Sequence, residues 1–166
     1  MGSFGRPPMT PRRARARRQT LRFRKLIHAP LRFVYRWCTD FREDDDAITN
    51  SIYHYSARIV LRERSRLVRI IIVPGPDRNR NTDVEIITLV PPDRWRLRKL
   101  SVSDDETGSY RLTRKGSTLT RLDMRFHRTW KTGRAPATAR YRALFERVWD
   151  RYVSAIEKEY RDQRAS

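Results

Sequence analysis

The chain has 166 residues, enough for one domain with a real core, and 38% of them are apolar. Its formal net charge of +19 and mean hydropathy of −0.81 imply that a solvated segment accompanies the folded part. No apolar run reaches the roughly 18 residues of a membrane span, and the N-terminus lacks a signal-peptide core. The single cysteine, Cys38, excludes an intramolecular disulfide and favours a reducing compartment, so a cytoplasmic location is expected.

All but five of the 38 basic residues are arginine, a bias that genome composition or solubility explains as readily as phosphate binding. Residues 1–19 hold Arg6, Arg12, Arg13, Arg15, Arg17 and Arg18 with no acid and little to bury, which reads as a disordered basic tail. Its Arg12, Arg13, Arg15, Arg17 and Arg18 are candidate contacts for an anionic partner, whether nucleic acid or an acidic membrane surface.

Residues 20–27 alternate as a first strand, and His28-Ala29-Pro30 stops it. Pro30 suits a first helical position, and Leu31, Val34, Trp37, Cys38 and Phe41 follow at helical spacing over about ten residues. The acidic run Asp40, Glu43, Asp44, Asp45 and Asp46 lacks the spacing and turn glycine of a calcium loop, so it reads as a capping or solvated loop with one helical turn. Tyr53, Tyr55, Ala57, Ile59 and Leu61 then share one face of a half-buried strand. Further strands are expected at 67–73, apolar on both faces except for Arg69, and at 84–90 and 95–102. A hairpin turn is expected at 104–108. Tyr110 and Leu112 mark the next strand, and a last long strand places Leu122, Met124, Phe126 and Trp130 opposite Arg121, Asp123, Arg125 and His127. By the same parity His54 and His127 point outward. Residues 138–162 form one long helix whose stripe includes Tyr141, Leu144, Phe145, Val148, Trp149, Tyr152 and Ile156.

The phrase Ile27-His28-Ala29-Pro30 entering Val34-Tyr35-Arg36-Trp37 and Thr39-Asp40-Phe41, with Gly108-Ser109-Tyr110-Arg111-Leu112 and Gly116-Ser117-Thr118-Leu119-Thr120 further on, resembles the START-like superfamily. That group, also called SRPBCC, includes Bet v 1-like, polyketide cyclase-like and coenzyme Q-binding-like proteins. The resemblance implies an α+β helix-grip domain over residues 20–163: a curved antiparallel sheet wrapped around a long C-terminal α-helix, with two short helices after the first strand. It also implies an apolar cavity between sheet and helix. The candidate cavity residues are Tyr53, Tyr55, Ile70, Ile72, Trp95, Leu97, Tyr110, Leu112, Met124 and Phe126 from the sheet, facing Leu144, Val148 and Tyr152; each of them could equally serve as core packing.

There is no Gly-rich phosphate loop, no Cys/His metal spacing and no Ser-His-Asp order, so neither a cofactor nor a metal is expected. Tyr53, Tyr55 and Tyr110 could donate hydrogen bonds, but no acid/base pair stands out. The expected function is binding or carriage of a hydrophobic small molecule or lipid. The alternatives are a cyclase/aromatase-like enzyme using the same cavity, and nucleic-acid binding through the arginine-rich tail and surface. Oligomeric state is not encoded in any pattern of the sequence.

Overall fold

The computed structural model describes residues 17–42, 45–49, 55–74, 80–131 and 137–166. Its elements run β1 (Arg17–Ile27), α1 (Leu31–Asp40), α2 (Asp46–Thr49), β2 (Ser56–Arg62), β3 (Arg66–Pro74), β4 (Arg80–Val90), β5 (Arg94–Leu100), β6 (Asp104–Arg114), β7 (Thr120–Trp130) and α3 (Thr138–Ala165). The strands form one antiparallel sheet in the order β1-β7-β6-β5-β4-β3-β2. Consecutive strands pair as hairpins from β2 to β7, and β1 closes the far edge beside β7 with Leu21 opposite Phe126 and Ile27 opposite Thr120. This is the curved sheet and long C-terminal helix that the resemblance implies.

β1 starts three residues earlier than expected, so Arg17, Arg18 and Gln19 belong to the sheet and not to the tail. Gln19 breaks the apolar alternation yet is buried, because its side-chain carbonyl accepts from Trp130 Nε1 at 3.2 Å. Residues 1–16, with Arg12, Arg13 and Arg15, lie outside the described residues.

Pro30 caps α1 in extended conformation with its carbonyl accepting from Val34 N at 3.0 Å. Val34 and Trp37 are buried on the helix face that meets the core. Phe41 ends the helix with φ at 47°, a left-handed conformation that costs a side-chain-bearing residue roughly 1–2 kcal/mol. Burial of its ring beneath the Arg69 guanidinium, 5.0 Å away, offsets that cost.

The expected turn at 104–108 is in fact the first half of β6, and the chain reverses at 101–103. Three consecutive acids suggest a solvated turn only if their charges remain in water. Here Asp104 and Glu106 are buried, so their charges are neutralised inside the fold. Gly108 lies opposite Phe126, and a Cβ there would approach the Phe126 ring to 3.0 Å. Glycine at this position lets the ring lie flat against the neighbouring strand.

α3, with 28 residues, is about 42 Å long at 1.5 Å per residue and crosses the concave face of the sheet. It is fastened along its middle and C-terminal half. Lys25 pairs with Asp150, the His28 amide donates to Glu157 at 2.7 Å, and Trp37 Nε1 donates to Glu159 at 2.8 Å. Among the described residues no helix is long and apolar enough to cross a membrane.

Candidate functional site

The strand register arranges the concave face of the sheet in rows. One apolar row runs Leu67, Ile87, Leu97, Gly108, Phe126 and Leu21 from β3 across to β1. A second, Leu89, Trp95, Tyr110, Met124 and Phe23, lies two residues along on one side. On the other side the row reads Arg69, Glu85, Lys99, Glu106, Arg128 and Gln19. Charge therefore alternates strand by strand across the inside of the protein.

Between these rows and α3 is a cavity of about 420 Å³. α1 contributes Trp37 and Cys38, and α3 contributes Leu144, Phe145, Val148, Trp149 and Tyr152. The Trp95 and Tyr110 rings stack at 4.7 Å, and Trp149 packs on both Tyr110 and Tyr152. One end of the cavity is thus an aromatic box. The other end is the charged row with Asp83 and Tyr141 beside it.

Of the residues proposed from sequence, Tyr55, Trp95, Leu97, Tyr110, Leu144, Val148 and Tyr152 line this cavity together. Leu112, Met124 and Phe126 are buried on the same face of the sheet but pack into the core beyond the cavity wall. Tyr53 lies outside the described residues. Ile70 and Ile72 need correcting: Leu67 and Ile71 are the buried residues of β3, and Arg69 and Ile71 face the cavity, so Ile70 and Ile72 occupy the opposite face. A strand apolar on both faces carries no parity signal, and Arg69, its one charged exception, marks the inner face.

The charged row could have been found by extending the inward parity through charged positions. From Leu97 the next inward residue is Lys99, from Phe126 it is Arg128, and back from Tyr110 through Gly108 it is Glu106 and then Asp104. Each charge has a partner. Arg69 meets Glu85 at 2.7 Å. Arg128 makes two hydrogen bonds to Asp104, at 2.9 and 2.7 Å, while Lys99 lies 3.2 Å from Asp104 and 3.6 Å from Asp83. The Tyr141 hydroxyl donates to Glu106 at 2.7 Å and accepts from Arg128 at 2.8 Å.

These partners hold the protonation states apart. Burial opposes ionisation of Asp104, but the hydrogen bonds from Arg128 and the charge of Lys99 outweigh it and hold the carboxyl below the usual carboxylate range. Burial and the proximity of Arg128 push Lys99 down, yet Glu106, Asp104 and Asp83 raise it overall, so it stays cationic. Burial raises the phenols of Tyr55, Tyr110, Tyr141 and Tyr152, which keeps all four as O–H donors at neutral pH. Tyr55 and Tyr152 meet through their hydroxyls at 3.2 Å.

Outside the cavity, Asp40 at the end of α1 is pushed up to about 6 by burial, opposed by Arg42 and then reinforced by Asp45 and Glu159. Its Oδ1 is buried without a hydrogen-bond partner. A carboxyl raised above its unfolded value contributes stability that is complete at low pH and is lost as pH rises through about 6. Asp40→Asn is therefore expected to raise the melting temperature at neutral pH, with the gain vanishing by about pH 4, as thermal melts across that range would show. Among the described residues no group of three or more His, Cys, Asp or Glu side chains is placed to hold a metal ion.

No protein-family model and no curated protein sequence matches the chain. Solved structures do match it. The Zhui aromatase/cyclase from Streptomyces sp. R1128 superposes with a TM-score of 0.65 at 14% identity, covering 90% of this chain and 97% of that one. Ara h 8.0201 superposes at 0.62 with 10% identity over 87% of this chain and 99% of its own. A START superfamily protein from Mycobacterium smegmatis gives 0.58 with 12% identity over 87% and 98%. Together with the sheet, the long helix and the space between them, these matches establish that the chain has the START-like, or SRPBCC, helix-grip fold.

Proposed function

We propose that this protein binds a mostly apolar, ring-bearing small molecule in the cavity under α3. The observation that carries the reading is a space of about 420 Å³ bounded by an aromatic box at one end and a fixed polar row at the other. That volume lies within the usual range for small-ligand pockets, roughly 300–1,000 Å³. The matched cyclase and START superfamily structures lend support at the level of fold.

The polar row restricts the ligand. Arg69, Lys99 and Arg128 are each held by carboxylates, so an incoming carboxylate finds no uncommitted cation among them. A hydroxyl or amide N–H, by contrast, finds spare lone pairs on Glu85 and Glu106. The Tyr110 hydroxyl, on a residue that lines the cavity, can bond to either a donor or an acceptor on the ligand. The ligand is thus a neutral, hydroxyl-bearing ring compound in preference to a fatty acid.

Native mass spectrometry of the full chain, followed by organic extraction, tests for a carried compound, and Nile red titration tests the space directly. Val148→Trp places an indole in the cavity from α3 and is expected to reduce Nile red affinity at least tenfold while the fold stays intact. Unchanged dye binding in that variant would sink the cavity reading.

A cyclase-like reading has one observation in its favour. Tyr141 links Glu106 to Arg128 at the cavity edge, a chain of groups able to hold and pass a proton. Under that reading Tyr141→Phe keeps ligand binding and abolishes turnover of a bound polycarbonyl substrate; equal turnover by both proteins would remove it.

A further inference from the structure

The face of the sheet turned away from α3 is as strongly patterned as the inner one. Across β1, β7, β6 and β5 one row reads Arg22, Arg125, Ser109 and Arg96, and the row two residues along reads Arg24, Asp123, Arg111 and Arg94. All six arginines are exposed, and they line a shallow hollow of about 550 Å³ on this face. Asp123 is the one acid in the two rows, and it is shared by Arg24 at 3.1 Å and Arg121 at 2.8 Å. Among the described residues Arg22, Arg96, Arg111 and Arg125 form no ion pair within the protein, so their charge is available to a partner.

We propose that this outer arginine face docks a nucleic-acid duplex through its phosphate backbone. With strands about 4.8 Å apart and alternate residues about 6.7 Å apart, the backbone positions of the array span roughly 14 by 7 Å. A duplex carries one charge per about 1.7 Å of axis, so roughly eight phosphate charges pass along the long side of that array. Guanidinium forks suit phosphate oxygens, and four uncommitted ones on rigid strands are already in position.

Other polyanions fit less well. A single strand needs aromatic platforms for its bases, and the outward residues of β1, β5, β6 and β7 include no Phe, Tyr or Trp ring and only the imidazole of His127. A membrane surface is held by several apolar side chains inserted beside the cations, whereas the flanking rows read Thr20, His127, Thr107 and Arg98 on one side and Leu26, Arg121 and Thr113 on the other, with Leu26 the one apolar residue among them. Contacts made only to phosphates fix position without reading bases, so the docking is independent of sequence.

The test is fluorescence anisotropy of the full chain with a labelled duplex of about 20 base pairs at several salt concentrations. Wild type is expected to lose about a thousandfold in affinity between roughly 50 and 200 mM salt if some six phosphates are contacted. Arg96→Glu with Arg125→Glu should weaken binding at least thirtyfold and flatten the log-log salt slope by about 2. Arg147→Glu with Arg151→Glu, the same charge change on exposed positions of α3, should stay within about threefold. Arg96→Lys with Arg125→Lys should retain most of the affinity. Equal losses in the two glutamate variants would overturn the proposal, since net charge alone would then explain binding. So would tighter binding of polyglutamate or of phosphatidylserine vesicles than of duplex at matched charge. Thermal melts of each variant confirm that the fold is retained.

Discussion

Asp104→Ala is expected to destabilise the protein by about 3–5 kcal/mol, the cost of removing one partner from a buried charge network. Asp104 is 1% exposed and holds Arg128 by two hydrogen bonds and Lys99 by an ion pair. Without it, Arg128 keeps Tyr141 and a longer contact to Glu106 at 3.8 Å, while Lys99 keeps Asp83. Two cations would then be left with these three weaker contacts in a place that water reaches poorly. Asp104→Asn should cost less, because the amide still accepts one hydrogen bond. The native carboxyl lies below its unfolded value, so its contribution is complete above the ordinary carboxylate range near pH 4 and is lost as pH falls below it. Urea unfolding at about pH 7 and pH 3 checks both statements: the gap between wild type and Asp104→Ala should narrow sharply in acid. An equal gap at both values would mean that lost packing, not lost charge, is the cause.

Phe126→Ala should cost about 3–5 kcal/mol, since an aromatic ring is deleted from a fully buried site. Phe126 is 1% exposed and lies within 4.5 Å of Phe145, 5.4 Å of Tyr110 and 6.1 Å of Phe23, measured between ring centroids. It joins β7, β6, β1 and α3 at one point. Gly108→Ala probes the same spot from the other side, and the overpacking should cost about 1–3 kcal/mol. Combined with Phe126→Ala the two losses should fall short of their sum, because the new methyl enters space that the ring has vacated. Denaturant midpoints for the two single variants and the double variant measure this directly. Strict additivity would show that the ring does not rest on Gly108.

The order of elements was legible because periods of two and of about four are written in side-chain polarity, and burial of one face makes them visible. Thus the predicted β2, β7 and α3 lie close to their observed positions, and the inward faces of the predicted elements bring together Tyr55, Trp95, Leu97, Tyr110, Leu144, Val148 and Tyr152. The failures share a cause. Gln19, Arg69, Lys99, Asp104, Glu106 and Arg128 are polar residues on the inner face, and a polarity pattern assigns such residues to water. Asp104 to Gly108 consequently resembled a turn, Arg69 resembled an exception, and Ile70 and Ile72 were given the wrong face.

By itself the sequence determined the succession of strands and helices, which follows from local periodicity and amphipathic burial, and its resemblance to the START-like superfamily implied the helix-grip arrangement and the cavity. Only the tertiary structure decided the polar half. Whether a charged side chain can lie inside depends on whether an opposite charge from another strand meets it there. Those partners are far apart in the chain, with Arg128 and Asp104 separated by 24 residues and Tyr141 and Glu106 by 35. The same holds for the outer arginine face. Six arginines from four strands become one surface only when the register of β1, β7, β6 and β5 aligns them.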